Sequence, residues 1–171
     1  MKFVKTLSIL VALFSGILIL TSCYNEANAV TGPTKEIANT LTWHSIEDLP
    51  ALQKQAPKKV IVDVYTDWCK WCKVMDDKTF SDLALIGYLN DNYYMVKLNA
   101  ETKTDLQFKG KSYPFVQSEK RGYNQLAVDL LKGKLSYPSF AVLDANLNTV
   151  DVTRGFKDVD TFKTFLEKVE L

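Results

Sequence analysis

The sequence has little of the side chains that hold metal ions or cross-link small domains. Its 171 residues include three cysteines, Cys23, Cys69 and Cys72, and a single histidine, His44. A structural zinc site is closed by four ligands, so the chain offers few residues for one. Glycine (7) and proline (5) are also scarce, and 47% of the residues are hydrophobic. This composition excludes fibrous and low-complexity chains and is typical of one globular domain.

An excess of charge of either sign is also missing. The chain has 21 Lys and Arg against 20 Asp and Glu, which gives a formal net charge of +1. Proteins that bind nucleic acids concentrate positive charge on one surface, and this near-neutral balance produces no strong field. We therefore expect no nucleic-acid partner.

The N-terminus has the pattern of a leader peptide. The basic start "MKFVK" precedes an uncharged apolar run, Leu7–Leu20, whose 14 residues would form a helix of about 21 Å. A hydrocarbon core of about 30 Å needs a longer helix, so the run is typical of a signal peptide. The next residues, "LTSC" (Leu20–Cys23), resemble a bacterial lipobox, in which the cysteine is acylated and becomes the first mature residue.

This resemblance implies that residues 1–22 are a lipoprotein signal peptide and that lipidated Cys23 tethers the chain to a membrane. The protein would then lie in the cell envelope, on the extracytoplasmic side, where disulfides persist. An ordinary signal peptide cleaved near Ala27–Ala29 and an uncleaved anchor remain alternatives. Residues 23–40 are small and polar without an apolar period, and we interpret them as a flexible tether.

The remaining residues, 41–171, alternate between strand-like and helix-like patterns. The order βαβαβαββα predicts an α/β layer fold with helices on both sides of a mixed sheet. The predicted strands are Leu41–His44, Lys58–Asp67, Tyr93–Ala100, Ser136–Asp144 and Thr149–Phe156, and the predicted helices cover Ser45–Ala56, the residues after Cys69, Ser81–Asn90, Tyr123–Leu131 and Val159–Val169. The segment 101–136 is enlarged and irregular, with seven Lys and Arg against four Asp and Glu. It borders a substrate groove or is a functionally neutral insertion.

Two of the three cysteines lie in "DWCKWCK" (Asp67–Lys73), directly after the most β-branched strand. A cysteine at a helix start is stabilised as a thiolate by unpaired N–H groups and the helix dipole, and a second cysteine three residues on is within disulfide reach. Half of a zinc site would need two more ligands, and only His44 remains once Cys23 is lipidated. A structural staple closing about four residues contributes only about 2 kcal/mol. These comparisons favour a redox-active pair.

The run "VIVDVYTDWCKWCK" resembles the active-site strand and turn of the thioredoxin-like superfamily, and "YPS" (Tyr137–Ser139) resembles its proline loop. The run "DVYTDWCKWCKVMDDKTFSD" is closest to the C-terminal thioredoxin-like domain of the thiol:disulfide interchange protein DsbD and to related lipoproteins. The resemblance covers residues 41–171. It implies a three-layer fold with a mixed central sheet and a thiol:disulfide oxidoreductase that needs no metal or other cofactor.

Carried over to this sequence, the resemblance makes Cys69 the exposed attacking thiol and Cys72 the buried resolving thiol. Asp63 would be the buried carboxylate that takes and returns the Cys72 proton, which requires a raised pKa. Four apolar neighbours in the strand favour its burial over an exposed position. Lys97 matches a lysine that lies near this carboxylate, although a solvated strand lysine is an alternative.

The resemblance also implies substrate-binding residues. Pro138 would be a cis-proline facing the disulfide, and Tyr137 before it would offer backbone groups to an extended substrate. Trp68 would pack beside the cysteines, and Trp71 between them would be exposed for a partner.

The expected partners are protein thiols or disulfides and an upstream dithiol donor. We expect the protein to be a monomer and to act as a reductase. The dipeptide between the cysteines, Lys70-Trp71, departs from the family's common Gly-Pro and His-containing pairs and leaves the redox potential open. Alternatives are an oxidase or isomerase using the same residues and a non-catalytic binding module with a static disulfide.

Overall fold

A computed structural model of the chain describes residues 39–170. The signal peptide predicted for residues 1–22, the lipidation site Cys23 and nearly all of the tether predicted for 23–40 lie outside these described residues. The described strands are β1 (Trp43–His44), β2 (Lys59–Tyr65), β3 (Tyr93–Asn99), β4 (Leu106–Phe108), β5 (Lys111–Tyr113), β6 (Phe115–Val116), β7 (Tyr123–Asn124), β8 (Ser139–Leu143) and β9 (Thr149–Arg154). The described helices are α1 (Leu49–Gln55), α2 (Lys70–Lys78), α3 (Leu83–Asn92), α4 (Gln125–Leu130) and α5 (Val159–Glu170).

A five-stranded sheet in the order β1-β3-β2-β8-β9 forms the middle of the fold. β2 pairs in parallel with β3 and antiparallel with β8, so the sheet is mixed as predicted. β2 lies at the centre because its β-branched run suits a strand that is buried on both faces. The helices pack on the two faces, which confirms the three-layer α/β fold.

The two faces of β2 belong to different hydrophobic clusters. Successive side chains of a strand point to opposite faces, and Val60, Val62 and Val64 pack on one side with α1, α4 and the β4–β5 hairpin. Ile61 packs on the other side with α2, α3 and α5. Asp63 has the parity of Ile61 and therefore points toward the side on which α2 lies. Among residues 39–170, no helix combines the length and the apolarity that a membrane span requires.

The enlarged segment is more regular than the sequence indicated. It contains two small antiparallel ribbons, β4 with β5 and β6 with β7, before α4 begins at Gln125. Strands of two or three residues show no periodicity that a sequence could reveal. The helix predicted over 123–131 is confirmed in shorter form, from Gln125 to Leu130. The turn after it includes Gly133, which was predicted as the helix end and whose φ of 82° is a conformation that favours glycine.

Buried Asn124 ties this segment to the edge of the main sheet. Its side-chain amide donates to the carbonyls of Thr104 (3.2 Å) and Tyr113 (3.0 Å), and its Oδ1 accepts from the Leu126 N–H at the start of α4 (3.0 Å). Its own backbone N–H donates to the Ala100 carbonyl just after β3 (2.7 Å). One buried side chain therefore satisfies three backbone groups, two of them in fully buried hydrogen bonds.

We expect Asn124→Ala to lower the free energy of unfolding by about 2–3 kcal/mol, because it leaves buried carbonyls unpaired and removes a helix cap. Urea unfolding of the full-length chain measures the change. Asn146→Ala, in the exposed turn before β9, is the matched control and should change stability by less than about 0.5 kcal/mol. Equal stability of the two variants would show that Asn124 does not anchor the segment.

Candidate functional site

The two cysteines lie where β2 ends and α2 begins. Cys69 is the N-cap residue of α2, and its Sγ is bonded to the Sγ of Cys72 at 2.03 Å, with Cα atoms 5.3 Å apart. The Cys72 N–H donates to the Cys69 Sγ (3.1 Å), and the Cys69 N–H donates to the Thr66 carbonyl (3.1 Å). The Cys69 sulfur thus receives a backbone donor of the first helical turn, which is the environment that stabilises a thiolate.

Cys72 is buried as expected, whereas the expectation that Cys69 is exposed is wrong for this oxidised state. Both are buried, with 4% and 3% of their surface exposed. The disulfide holds the Cys69 sulfur against the first turn of α2, over Cys72, so it does not project into solvent. The exposed side chains next to the disulfide are those of two tryptophans, Trp68 (50% exposed) and Trp71 (58% exposed).

Asp63 lies in the middle of β2, on the face that α2 covers, and only 1% of its surface is exposed. Its burial agrees with the sequence prediction. Desolvation raises the pKa of Asp63 from 3.8 to about 6, although the nearby Lys97 ammonium acts in the opposite direction. One carboxylate oxygen, Oδ2, lies 3.0 Å from Lys97 Nζ, whereas the buried Oδ1 has no hydrogen-bond partner within the described part of the chain.

Lys97 connects Asp63 to the helix that carries the cysteines. It lies opposite Asp63 in the β2–β3 register, and its Nζ also donates to Asp76 Oδ1 on α2 at 2.6 Å. The prediction that Lys97 lies near the carboxylate is confirmed. Burial lowers the pKa of Lys97, but the charge of Asp63 and hydrogen bonds to both carboxylates outweigh it and raise that pKa overall.

Asp76 was not singled out from the sequence, although its spacing gave a signal. It follows Cys72 by four residues, so the two side chains lie on the same face of α2. Because Lys97 bridges Asp76 and Asp63, the buried carboxylate lies beneath this face of the helix. The rings of Trp43 and Tyr65 flank the ammonium, with centroids 4.8 and 5.1 Å from Nζ.

The proline loop lies beside Trp68, the residue before Cys69. The Tyr137–Pro138 peptide bond is cis, as predicted, and the Tyr137 ring meets the Trp68 ring edge-on with centroids 5.9 Å apart. β8 begins at Ser139, so the backbone N–H and carbonyl of Tyr137 lie outside the sheet ladder. Burial and, second, the Glu101 charge raise the pKa of Tyr137 to about 12.

Two residues of the enlarged segment bind Trp68. The Trp68 indole N–H donates to Glu101 Oε1 (3.0 Å), and the Arg121 guanidinium lies over the indole ring at 4.4 Å from its centroid. Arg121 and Glu101 also face each other at 3.7 Å. We call Trp68, Glu101 and Arg121 the tryptophan clamp. The sequence analysis missed the tryptophan clamp, because the basic composition of segment 101–136 does not show which charged side chains contact Trp68.

Trp71, between the two cysteines, contacts a different loop. Its ring lies 5.5 Å from that of Phe156, in the loop after β9, and both side chains are exposed. The prediction that Trp71 is exposed is confirmed, whereas its contact with Phe156 has no local sequence signal. Within residues 39–170, no group of three or more His, Cys, Asp or Glu side chains is arranged to hold a metal ion.

The raised pKa of Asp63 predicts a specific pH dependence of stability. The unfolded chain loses this proton near pH 3.8 and the native state near pH 6, so native stability falls as the pH rises through this range. At 1.36 kcal/mol per pKa unit the buried charge costs up to about 3 kcal/mol. Because this cost already includes the attraction of Lys97, we expect Asp63→Asn to gain up to about 3 kcal/mol at pH 8 and nothing at pH 4.

Urea unfolding of the oxidised full-length chain between pH 4 and pH 8 tests this expectation. Asp77→Asn, which changes an exposed carboxyl on α2, is the control and should show no such trend. A gain for Asp63→Asn that is equal at pH 4 and pH 8 would contradict the raised pKa.

Comparisons with known proteins agree with this geometry. The family model Thioredox_DsbH, described as a protein of unknown function (DUF255), matches residues 34–125, which is 92 of the 171 residues. The thiol:disulfide interchange protein DsbD of Pseudoalteromonas atlantica is 28% identical over 116 residues, covering 63% of this chain and 19% of that protein. The chain spans a quarter or less of the length of the curated relatives it matches.

Solved structures show the same fold. A DsbH oxidoreductase superposes with a TM-score of 0.55 and 16% identity, over 81% of this chain and 90% of that one. A thioredoxin from Thermus thermophilus superposes with a TM-score of 0.57 and 17% identity, over 77% and 88% of the two chains. With a thioredoxin-like fold and a family model that matches more than half of its length, the chain belongs to the thioredoxin-like DsbH (DUF255) family.

Proposed function

We propose that the protein is a membrane-tethered, extracytoplasmic thiol:disulfide oxidoreductase that reduces protein disulfides. The observation that carries this proposal is the Cys69–Cys72 disulfide at the N-terminus of α2, above a buried Asp63 of raised pKa. The relatives named DsbD and DsbH oxidoreductase support the reaction class.

The reaction begins from the reduced pair. The Cys69 thiolate attacks one sulfur of a substrate disulfide, forming a mixed disulfide and releasing the other substrate sulfur as a thiolate. The N–H groups at the start of α2 and the helix dipole stabilise the Cys69 thiolate before attack. Tyr137 and Pro138 lie beside Trp68, so an extended substrate segment pairs with the free backbone groups of Tyr137 next to the attacked sulfur.

Cys72 then resolves the mixed disulfide. Its thiol passes a proton to the Asp63 carboxylate, and the resulting thiolate attacks the Cys69 sulfur and releases the second substrate sulfur. Two electrons pass from the cysteine pair to the substrate, and the pair becomes the disulfide seen in the structure. An upstream dithiol donor returns two electrons, and Asp63 returns the proton to Cys72.

The dipeptide between the cysteines supports the reducing direction. Strong oxidants stabilise their reduced thiolate, and a histidine between the cysteines commonly contributes to this. This protein has Lys70 and Trp71 there. An oxidase or isomerase would use the same residues with the electron flow reversed.

Replacing either cysteine separates the two steps. We expect Cys69→Ser to abolish reduction of a protein disulfide by the full-length chain with dithiothreitol as donor, because no attacking sulfur remains. Cys72→Ala should instead accumulate the mixed disulfide, which a nonreducing gel detects. Expressed in the native host, this variant also captures the partner and so indicates the direction. Turnover by Cys69→Ser would rule out the mechanism.

A non-catalytic binding module with a static disulfide is the second candidate, and the burial of both cysteines favours it. The reduction potential distinguishes the two. A potential below about −300 mV with slow thiol exchange indicates a structural bond, whereas a higher potential with rapid exchange indicates a redox couple.

Membrane tethering has its own test, since its support is the lipobox-like "LTSC" sequence. In the native host, the wild-type chain should incorporate labelled fatty acid and sediment with membranes. Cys23→Ser should lose both properties, because the acylated sulfur is absent. Recovery of labelled Cys23→Ser in the membrane fraction would contradict lipidation at this residue.

A further inference from the structure

Arg121 brings a cation of the enlarged segment to the edge of the cysteine turn. It follows the β6 strand in a turn where its backbone N–H and carbonyl both contact the Ser118 hydroxyl. Its guanidinium carbon lies 4.4 Å from the centroid of the Trp68 ring, within cation–π distance, and 59% of its side chain is exposed. The cation is therefore anchored on the residue that precedes Cys69 while remaining open to solvent.

The charge of Arg121 is only loosely paired. Glu101 Oε1 lies 3.7 Å from one guanidinium nitrogen, longer than a charge-assisted hydrogen bond, and the same oxygen accepts the Trp68 indole N–H at 3.0 Å. A guanidinium has five N–H donors in a planar fork that matches a carboxylate. Most of this fork has no partner among the described residues and is available to a ligand.

The position of the Arg121 guanidinium indicates which kind of ligand it binds. A segment that pairs with the backbone of Tyr137 runs past the Trp68 ring, because the two rings touch edge-on. Arg121 lies on that same ring, so the side chain of a residue flanking the attacked cysteine comes within reach of the guanidinium. The segment 101–136 has seven Lys and Arg against four Asp and Glu, which also favours an acidic partner.

We propose that Arg121 is a specificity-determining residue that binds a carboxylate side chain next to the attacked disulfide of an acidic protein substrate. This inference rests on the proposed function and names its substrate class. Glu101 lies beside the guanidinium at 3.7 Å, and the substrate carboxylate replaces it as the partner of the fork.

Matched peptide disulfides test the proposal. The peptides differ only in Glu, Gln or Lys beside the cysteine, and kcat/KM is measured for the full-length chain with dithiothreitol as donor. We expect the wild type to prefer the Glu peptide over the Gln peptide by about fivefold, the effect of one exposed ion pair, and to disfavour the Lys peptide. The Glu preference should decline at high salt.

Substitutions in the tryptophan clamp test whether Arg121 causes the preference for the Glu peptide. Arg121→Gln should reduce the Glu-to-Gln ratio to about one, and Arg121→Lys should retain part of it, because charge remains without the fork. Glu101→Gln keeps an acceptor for the Trp68 N–H but removes the competing charge, so the ratio should increase. Lys120→Gln, the neighbouring exposed cation, is the matched control and should leave the ratio unchanged.

The outcomes separate this inference from the proposed function. An uncharged small disulfide, 2-hydroxyethyl disulfide, reports thiol exchange without any carboxylate. If the wild type reduces it and the peptides but Arg121→Gln keeps the wild-type Glu-to-Gln ratio, the role of Arg121 is overturned and the function stands. If the wild type reduces neither, both are overturned.

Discussion

The burial of a single carboxylate, Asp63, is the constraint on which the rest of the site depends. An ionised group in the middle of a central strand is costly unless a partner compensates for the lost hydration. The β2–β3 register supplies that partner by placing Lys97 beside Asp63, on the same face of the sheet. The compensation is incomplete, because Oδ1 has no hydrogen-bond partner in the described residues and the pKa stays raised near 6.

The same cation fixes α2 relative to the sheet. Lys97 binds Asp76 as well as Asp63, so the helix face that carries Cys72 is held above the strand by a charged contact. Met75, which is also on α2, packs in the hydrophobic cluster around Ile61 and so contributes to holding the helix on this face of the sheet. A buried carboxyl with a pKa raised to about 6 is thus linked, through Lys97 and Asp76, to the helix that carries Cys72.

The sheet and the buried part of the site were predictable because their signals are local. The β-branched run of β2, the apolar neighbours of Asp63 and the cysteine spacing all lie within fifteen residues. The tryptophan clamp was not predictable, since Glu101 and Arg121 meet Trp68 from 33 and 53 positions away. Arg121 lies between β6 and β7, which are too short for a hydrophobic period, and Glu101 lies in the turn after β3. The burial of Cys69 in the disulfide-bonded state has no signal in the cysteine spacing.

The two tryptophans of the cysteine turn have different neighbours, and both bear on whether the disulfide is only structural. Trp71 contacts the apolar ring of Phe156, and Trp68 belongs to the charged tryptophan clamp. A static disulfide accounts for the buried sulfurs but not for two half-exposed tryptophans that flank them, because large exposed aromatic side chains gain no stability from the core. A partner that covers the cysteine turn would remove both indoles from water, and the contact would bring its own sulfur to Cys69. The exposed tryptophans therefore favour an exchange surface over a staple.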